Sequence, residues 1–185
     1  PFGLAPIEQR IWPAEPNRGD VVVFALPTST NINYIKRVVG MPGESLVVKK
    51  GRLYINNEVV PREFVQETDL IKENGAAVKV KEYIETLPGG VKHPIYEETD
   101  YGPLDNTDFY TIPEGHYFVM GDNRDNSQDS RVERLVGFVP FENLVGRADI
   151  LFFSIDESAN LLNPLTWFHT IRFNRILDKI GPVRP

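Results

Sequence analysis

Residues 121–131 read GDNRDNSQDSR and hold the densest concentration of reactive side chains in the chain. They directly follow His116–Met120, an apolar run typical of a buried strand. A strand normally ends in a short turn, so a polar stretch of this length indicates a functional role. Its carboxylate, hydroxyl and guanidinium groups belong to Asp122, Asp125, Asp129, Ser127, Ser130, Arg124 and Arg131. Such groups can bind a cation, or they can hold another reactive side chain in place.

The second candidate for chemistry is a lysine within the predicted strand Asn33–Val39. Because side chains alternate along a strand, Lys36 shares a face with Tyr34 and Val38, whereas Arg37 points to the opposite face. A lysine that is desolvated there has a lowered pKa, and its neutral amine can act as a general base. Arg37 then needs an anion on its own face. The alternative is an exposed edge strand, where lysine is common.

The polar stretch could support such a lysine. A base lysine needs hydroxyl neighbours more than carboxylates, because a carboxylate raises its pKa. A competing interpretation is a calcium loop, since Asp125, Ser127 and Asp129 alternate as calcium ligands do. No glycine follows at the sixth position and no glutamate at the twelfth, so the calcium pattern fits poorly.

Composition limits the classes of function. A length of 185 residues suits one domain or two small ones, and the net charge of −6 argues against nucleic acid as a partner. The chain has no cysteine, and its histidines (His93, His116 and His169) lack metal-ligand spacing, so no metal or other cofactor is expected. No apolar run approaches the length of a membrane span, and no signal peptide opens the chain. Since it begins at Pro1 without a methionine, we expect a fragment or processed form of a longer protein.

Strand patterns dominate and predict a mostly β protein. The predicted strands are 21–24, 33–39, 45–48, 52–55, 58–60, 116–120 and 148–154, with shorter ones at 78–80 and 109–112. Turns are predicted at 49–51 and 56–57. Residues 51–111 are more polar and rich in glycine and proline, which indicates an inserted β subdomain. The predicted organisation is a discontinuous β core at 1–50 and 112–160, an insertion at 51–111, and a tail at 161–185.

The tail predicts a short C-terminal helix. Asn163 can cap it, Pro164 suits its first turn, and Gly181 ends it. One face carries the basic side chains of Arg172, Arg175 and Lys179, with Trp167, Phe168, Ile171 and Phe173 nearby. This helix is either a basic, aromatic edge that rests on anionic lipid or an ordinary amphipathic helix with a solvated face.

Several stretches together resemble the sequence boxes of bacterial type I signal peptidases. They are Arg18–Phe24 (RGDVVVF), Tyr34–Glu44 (YIKRVVGMPGE), Gly121–Arg131, Gly137–Pro140 (GFVP) and Asn143–Arg147 (NLVGR). Several boxes in the family's order are far more specific than one short motif. The resemblance covers about residues 18–50 and 112–155.

The resemblance implies an antiparallel β fold of the signal-peptidase kind and a membrane-anchored serine protease with a serine–lysine mechanism. Such an enzyme lies at the bacterial cytoplasmic membrane with its catalytic domain on the outer, periplasmic face. Its partners are the signal peptides of exported preproteins, cut after small residues in an Ala-X-Ala pattern. Work at a bilayer also favours contact of the tail with the membrane surface. No cofactor is implied, because lysine supplies the base.

The resemblance also assigns roles to individual residues. Lys36 would be the general base, and Ser127 would orient its amine. Two supporting ion pairs are expected beneath the site, Asp122 with Arg37 and Asp129 with Arg131. Shallow pockets for small side chains would be shaped by Tyr34, Ile35, Val119 and Met120, although Val119 and Met120 could equally be core residues.

Two departures from the family pattern affect these expectations. The family's nucleophile is a serine in a Ser-x-Ser-Met-x-Pro-Thr context upstream of the Arg-Gly-Asp box, and the 185 residues contain no such stretch. A lysine without its nucleophile cannot form an acyl-enzyme, so this chain by itself is expected to be inactive. In addition, Val132–Val136 lengthens the connection from the polar box to Gly137.

Other functions remain open from sequence alone. Self-cleaving repressors and conjugation-pilus processing enzymes share serine–lysine chemistry and a related fold. A non-catalytic relative could bind exported segments in the same groove. A generic β domain with an acidic metal loop is the third alternative.

Overall fold

Antiparallel strands make up most of the protein, in agreement with the mostly β prediction. A computed structural model describes residues 15–71 and 76–148. Its strands are β1 (Val21–Leu26), β2 (Ser29–Gly40), β3 (Ser45–Lys49), β4 (Arg52–Ile55), β5 (Glu58–Val59), β6 (Arg62–Ile71), β7 (Ala77–Leu87), β8 (Val91–Glu97), β9 (Tyr110–Thr111), β10 (His116–Met120), β11 (Val139–Pro140) and β12 (Leu144–Arg147). Helical structure in the described ranges is limited to short 3-10 segments at Arg124–Asn126 and Phe141–Asn143, and no helix there could cross a membrane.

Strand β2 is the centre of a five-stranded sheet with the order β11-β10-β2-β1-β12. Strand β1 runs beside most of β2, from Val21 opposite Arg37 to Ala25 opposite Asn33. Strand β10 pairs only with the end of β2, where Met120 lies opposite Arg37. Within the described part of the chain, the residues of β2 before Arg37 therefore have an open backbone edge on the β10 side.

A four-stranded sheet, in the order β5-β4-β3-β9, adjoins the first sheet through a shared core. Its tight turns fall where the sequence predicted them. Lys50 and Gly51 have φ values of 48° and 67°, and Asn56 and Asn57 have values of 51° and 66°. Two left-handed residues in succession give the backbone twist that a two-residue hairpin needs, and glycine and asparagine tolerate that conformation best.

Buried apolar side chains form two clusters on opposite faces of the central sheet. One includes Val39, Leu46, Leu53, Phe118 and Met120. The other includes Val22, Phe24, Val38, Tyr117 and Val119. Since Val38 and Val39 are adjacent in sequence, their separation confirms the alternation predicted for β2.

The three-stranded sheet β6-β7-β8 was mostly missed by the sequence analysis, which predicted only residues 78–80 within it. Strand β6 is largely exposed and mixes charged and apolar residues without a regular alternation, so it has no strand pattern to detect. The segment 51–111 contributes this whole sheet and also most of the four-stranded sheet. Apart from residue 148, the predicted strand at 148–154 falls outside the described residues, as does the predicted tail helix.

Candidate active site

The face of β2 that carries Lys36 opens onto a groove. The groove has a volume of about 980 Å³. One wall is formed by Tyr34, Ile35 and Lys36 of β2, and another by Pro103 and Leu104 from the segment after β8. The site therefore combines the central sheet with the region that the sequence analysis treated as an insertion.

Lys36 lies in this groove with its amine over the ring of Tyr34. Its Nζ atom is 5.7 Å from the centroid of the Tyr34 ring, and it forms no hydrogen bond with another described residue. Burial lowers the pKa of Lys36 more than any neighbouring charge changes it. Asp129 and Asp122 raise that pKa and Arg131 lowers it, and the net result is a pKa below the ordinary lysine value. At a given pH, a larger fraction of Lys36 therefore carries a neutral amine than is the case for an exposed lysine.

Ser127 lies next to the lysine because residue 121 has no side chain. A Cβ atom added to Gly121 would be 2.2 Å from the Ser127 Oγ atom and 3.6 Å from the Lys36 Nζ atom. The Ser127 hydroxyl is buried without a hydrogen-bond partner of good geometry, although it is near enough to Asp129 to help lower the pKa of that carboxyl. The structure thus brings the buried hydroxyl of Ser127 and the amine of Lys36 close to the same point beside Gly121.

Arg37 and Asp122 form a two-pronged ion pair on the other face of β2. The Nε and Nη2 atoms of Arg37 donate to the two carboxylate oxygens of Asp122 at 2.8 and 2.7 Å, and Nη1 donates to the Gly19 carbonyl at 2.8 Å. Burial alone would raise the pKa of Asp122, but Arg37 and His93 outweigh it and hold that pKa well below its usual range. The carboxylate is therefore ionised at neutral pH, and the positive charge of Arg37 balances its negative charge.

The second predicted pair, Asp129 with Arg131, is fully buried. Arg131 donates from Nε and Nη2 to the two oxygens of Asp129 at 2.9 and 2.8 Å. The Gly121 amide also donates to Asp129 at 3.0 Å, which fixes the loop beside Ser127. Burial alone would raise the pKa of Asp129, but the lowering by Arg131 and the Gly121 amide outweighs it. The net pKa is below the ordinary value, so the carboxylate stays charged.

Ser130 is a structural member of the same loop. Its hydroxyl accepts a hydrogen bond from the Val119 amide at 2.9 Å, and its own amide donates to the Val119 carbonyl at 3.0 Å. The polar loop is thereby bonded to the end of β10. Its position beside Lys36 follows from backbone bonds as well as from ion pairs.

Of the predicted substrate contacts, two line the groove and two do not. Ile35 is 52% exposed, and Tyr34 is half-buried, with its hydroxyl donating to Gln128 at 3.0 Å. Val119 and Met120 are buried in the two core clusters, with 0% and 1% of their surface exposed. Their burial supports the core alternative that the sequence had left open.

The acidic residues of the loop bind N–H donors rather than a cation. Asp125 accepts hydrogen bonds from the amides of Glu98 and Thr99 at 2.6 and 3.0 Å, and Asp129 is paired with Arg131. Within residues 15–71 and 76–148, no cluster of three or more His, Cys, Asp or Glu side chains could hold a metal ion. This geometry does not favour the calcium interpretation.

Sequence reasoning missed a buried network behind the loop. Arg124 binds Glu85 of β7, and His93 of β8 lies between Glu85 and Asp122. Burial raises the pKa of Glu85, but Arg124 and His93 outweigh it and lower that pKa to about 2. Glu85 and His93 lie in none of the boxes, so only the pairing of β7 with β8 reveals their part in this network.

These features define an antiparallel β protein in which a half-buried lysine lies beside a polar, ion-paired loop. Residues 5–153 match the family described as signal peptidase, peptidase S26. Signal peptidase I of Rickettsia conorii is 38% identical over 195 residues, which cover 97% of this chain and 71% of the relative. The chain belongs to the signal peptidase family.

The chain is also similar to other signal peptidases. Signal peptidase I of Rickettsia typhi is 36% identical over 195 residues, covering 97% of this chain and 72% of the relative. A crystal structure of a signal peptidase I from Enterococcus faecalis is 26% identical, covers 72% of this chain and 97% of its own, and superposes with a TM-score of 0.41.

Proposed function

We propose that the protein is the catalytic region of a signal peptidase, which removes signal peptides from exported preproteins with Lys36 as the general base. The observation that carries this proposal is the half-buried amine of Lys36, which has a lowered pKa and lies beside the Ser127 hydroxyl. In this mechanism the neutral amine takes the proton of a serine hydroxyl as the hydroxyl attacks the scissile carbonyl. The protonated amine of Lys36 then donates its proton to the leaving amine of the substrate. The ester that joins the serine to the acyl part of the substrate is finally hydrolysed by a water molecule.

The supporting residues have separate parts in this proposal. Ser127 orients the amine of Lys36. The pairs Arg37–Asp122 and Asp129–Arg131 keep their carboxylates neutralised, so these groups do not hold the amine in its protonated form. Each pair also fixes one end of the loop.

We propose that the substrate lies in the groove as an added strand along the open edge of β2. The backbone there has no strand partner on the β10 side among the described residues, so it can bind an extended peptide. Tyr34 and Ile35 on one wall and Pro103 and Leu104 on the other would then exclude bulky side chains. This arrangement supports a preference for small residues in an Ala-X-Ala pattern.

The nucleophile, in this proposal, is a serine outside the 185 residues. Of the described serines, Ser29 is at the far end of β2, seven residues before Lys36, and Ser45 is on a different sheet. The hydroxyl of Ser130 is bonded to Val119. Ser127 already serves the lysine. The membrane anchor and the periplasmic location of the catalytic region belong to the same proposal, as does contact of the tail at 161–185 with the membrane surface.

The test is cleavage of a preprotein with an Ala-X-Ala site by the full-length gene product, including any residues before Pro1. Lys36→Ala is expected to lower kcat/KM by roughly 10²- to 10⁴-fold. Lys49→Ala is the matched control, because Lys49 also lies over a tyrosine ring, 5.8 Å from the centroid of Tyr54, but is on the four-stranded sheet. Equal activity of the two variants would contradict the role of Lys36.

Two further outcomes refine the proposal. Turnover by the 185-residue chain that is lost in Lys36→Ala would place the nucleophile within it. Binding of the peptide by the full-length product without cleavage would instead favour a non-catalytic peptide-binding relative.

A further inference from the structure

We propose that Glu85 and His93, on the three-stranded sheet, are positioning residues for Lys36. The inference rests on the proposed function, because it concerns how the same site is held in place. Neither residue lies in a matched sequence box, and the charges that shift the pKa of Lys36 are those of Asp129, Arg131 and Asp122. Glu85 and His93 therefore act through the loop and not on the amine itself.

The two residues form a buried pair across neighbouring strands. Glu85 of β7 and His93 of β8 are direct partners in the strand register. Each residue is 2% exposed, and the His93 Nε2 atom lies 3.2 Å from a carboxylate oxygen of Glu85. Cross-strand partners of this kind are held at a fixed separation by the sheet. The pair is thus a rigid attachment point.

One arm of the network runs from Glu85 to the carboxylate below Ser127. Arg124 donates to both oxygens of Glu85 at 3.0 and 2.5 Å. The carbonyl of Arg124 accepts a hydrogen bond from Arg131 at 2.6 Å, and Arg131 holds Asp129. Asp129 in turn binds the amide of Gly121. Every side chain in this arm is buried.

The other arm runs from His93 to the ion pair on the back of β2. The His93 Nδ1 atom is 3.2 Å from the Pro94 carbonyl and 3.6 Å from a carboxylate oxygen of Asp122, which is an electrostatic contact and not a hydrogen bond. Asp122 in turn is bonded to Arg37. Strand β8 also binds the loop directly, since the Tyr96 amide donates to the Asp122 carbonyl at 2.8 Å. The two arms therefore end at Asp129, which binds the Gly121 amide, and at Arg37, which follows Lys36 in the sequence.

The charged groups of this network indicate that it positions the loop beside Lys36 and does not only stabilise the fold. Replacing a buried ion pair by well-packed apolar residues is often neutral or even stabilising, so such a pair is weak support for stability as its purpose. Its geometry is directional, because a two-pronged arginine–carboxylate contact permits one orientation. A loop held in this way keeps its hydroxyl and carboxylates at fixed distances from the amine.

The test is a titration of Lys36 by NMR in the 185-residue chain, with the other lysines as internal references. The variants are Glu85→Gln and the pair Glu85→Gln with Arg124→Gln, which leaves no buried charge unpaired. A loosened loop admits water to the amine and weakens the burial that lowers its pKa. We expect the Lys36 pKa to rise by about one pH unit, a tenfold loss of neutral amine at a given pH. Glu82→Gln is the control, because Glu82 is also on β7 but bonds Gln66 at the surface.

Thermal unfolding of each variant shows that the titration reports a folded protein. An unchanged Lys36 pKa in the folded double variant would overturn the inference. If neither Glu85 variant folds, His93→Gln, which removes the imidazole from beside both Glu85 and Asp122, is judged by the same criterion. An ordinary lysine pKa in the unmodified chain would instead contradict the proposed function, so the two failures are distinguishable.

Discussion

The two faces of strand β2 give their positively charged side chains, Lys36 and Arg37, opposite environments. On one face, the amine of Lys36 forms no hydrogen bond with another described residue and has a hydroxyl without a partner beside it. On the other face, Arg37 donates three hydrogen bonds, and its carboxylate partner is charged and neutralised. The two residues are neighbours in sequence, so the difference comes from what the fold packs on each side.

This contrast shows how a reactive group can be kept in a stable protein. A polar group without partners is destabilising when buried, so it is found where function requires it. The charged groups around it are held in ion pairs, because a buried charge without a counter-charge would be too unfavourable. In this protein the paired groups lie immediately behind the unpaired ones.

The largest expected effect comes from removing each cation in turn. Arg37→Met leaves Asp122 without its two-pronged partner and should lower the free energy of unfolding by about 3 kcal/mol. Lys36→Met removes an amine that burial already disfavours, so its effect should stay within about 1 kcal/mol. Urea unfolding of the 185-residue chain at neutral pH measures both. Similar losses for the two variants would show that the faces do not differ in this way.

A smaller effect is expected from crowding the reactive face. Gly121→Ala places a Cβ atom 2.2 Å from the Ser127 Oγ atom, so either the loop or the serine must move. We expect a loss of about 1–2 kcal/mol in the free energy of unfolding, together with a changed titration of Lys36. Gly146→Ala is the control, since nothing lies within 4 Å of its added Cβ atom. A Gly121→Ala protein with unchanged stability and an unchanged Lys36 pKa would argue against close packing at this point.

The smallest expected effect is on the pH dependence of stability. It concerns two buried glutamates, Glu85 and Glu97, on the three-stranded sheet. Burial raises the pKa of Glu97 to about 7, despite its ion pair with Arg62, whereas Glu85 has a pKa of about 2. A folded pKa above the unfolded value means that Glu97 contributes stability at low pH and loses it as the pH rises from about 4.5 to 7. Glu85 has the opposite sign and loses its contribution as the pH falls from about 4.5 to 2.

Glu97→Gln should therefore reduce the loss of stability between pH 5 and pH 8 by about 1 kcal/mol. Unfolding curves at the two pH values measure this difference. Glu67→Gln, on the exposed strand β6, should leave it unchanged. If Glu97→Gln had no effect on the difference, the carboxyl would already be charged across that range.

The sequence predicted local features of the site better than long-range ones. Alternation along β2 was enough to separate Lys36 from Arg37, and the turns at Lys50–Gly51 and Asn56–Asn57 followed from residue type. The family resemblance suggested the partners of Arg37 and Arg131, and the structure forms both pairs. These features depend on short segments whose patterns can be read directly.

The parts that could not be predicted depend on how distant segments meet. Glu85 and His93 become partners only through the register of β7 with β8, and Leu104 reaches the groove only because its segment passes the loop. Charged residues within an insertion ordinarily indicate a solvated surface. Their burial is a tertiary effect that no local pattern contains.

The adjacency of Lys36 and Arg37 has a consequence for how the chain folds. A slip of β2 by one residue would turn every side chain to the opposite face of the sheet. The guanidinium of Arg37 would then face the groove, and the amine of Lys36 would face the side of Asp122. Both alternatives carry one positive charge, so charge alone does not separate them. Only arginine can bind both carboxylate oxygens of Asp122 and the Gly19 carbonyl at once. The three hydrogen bonds of Arg37 therefore favour the native register of β2 over one slipped by a residue.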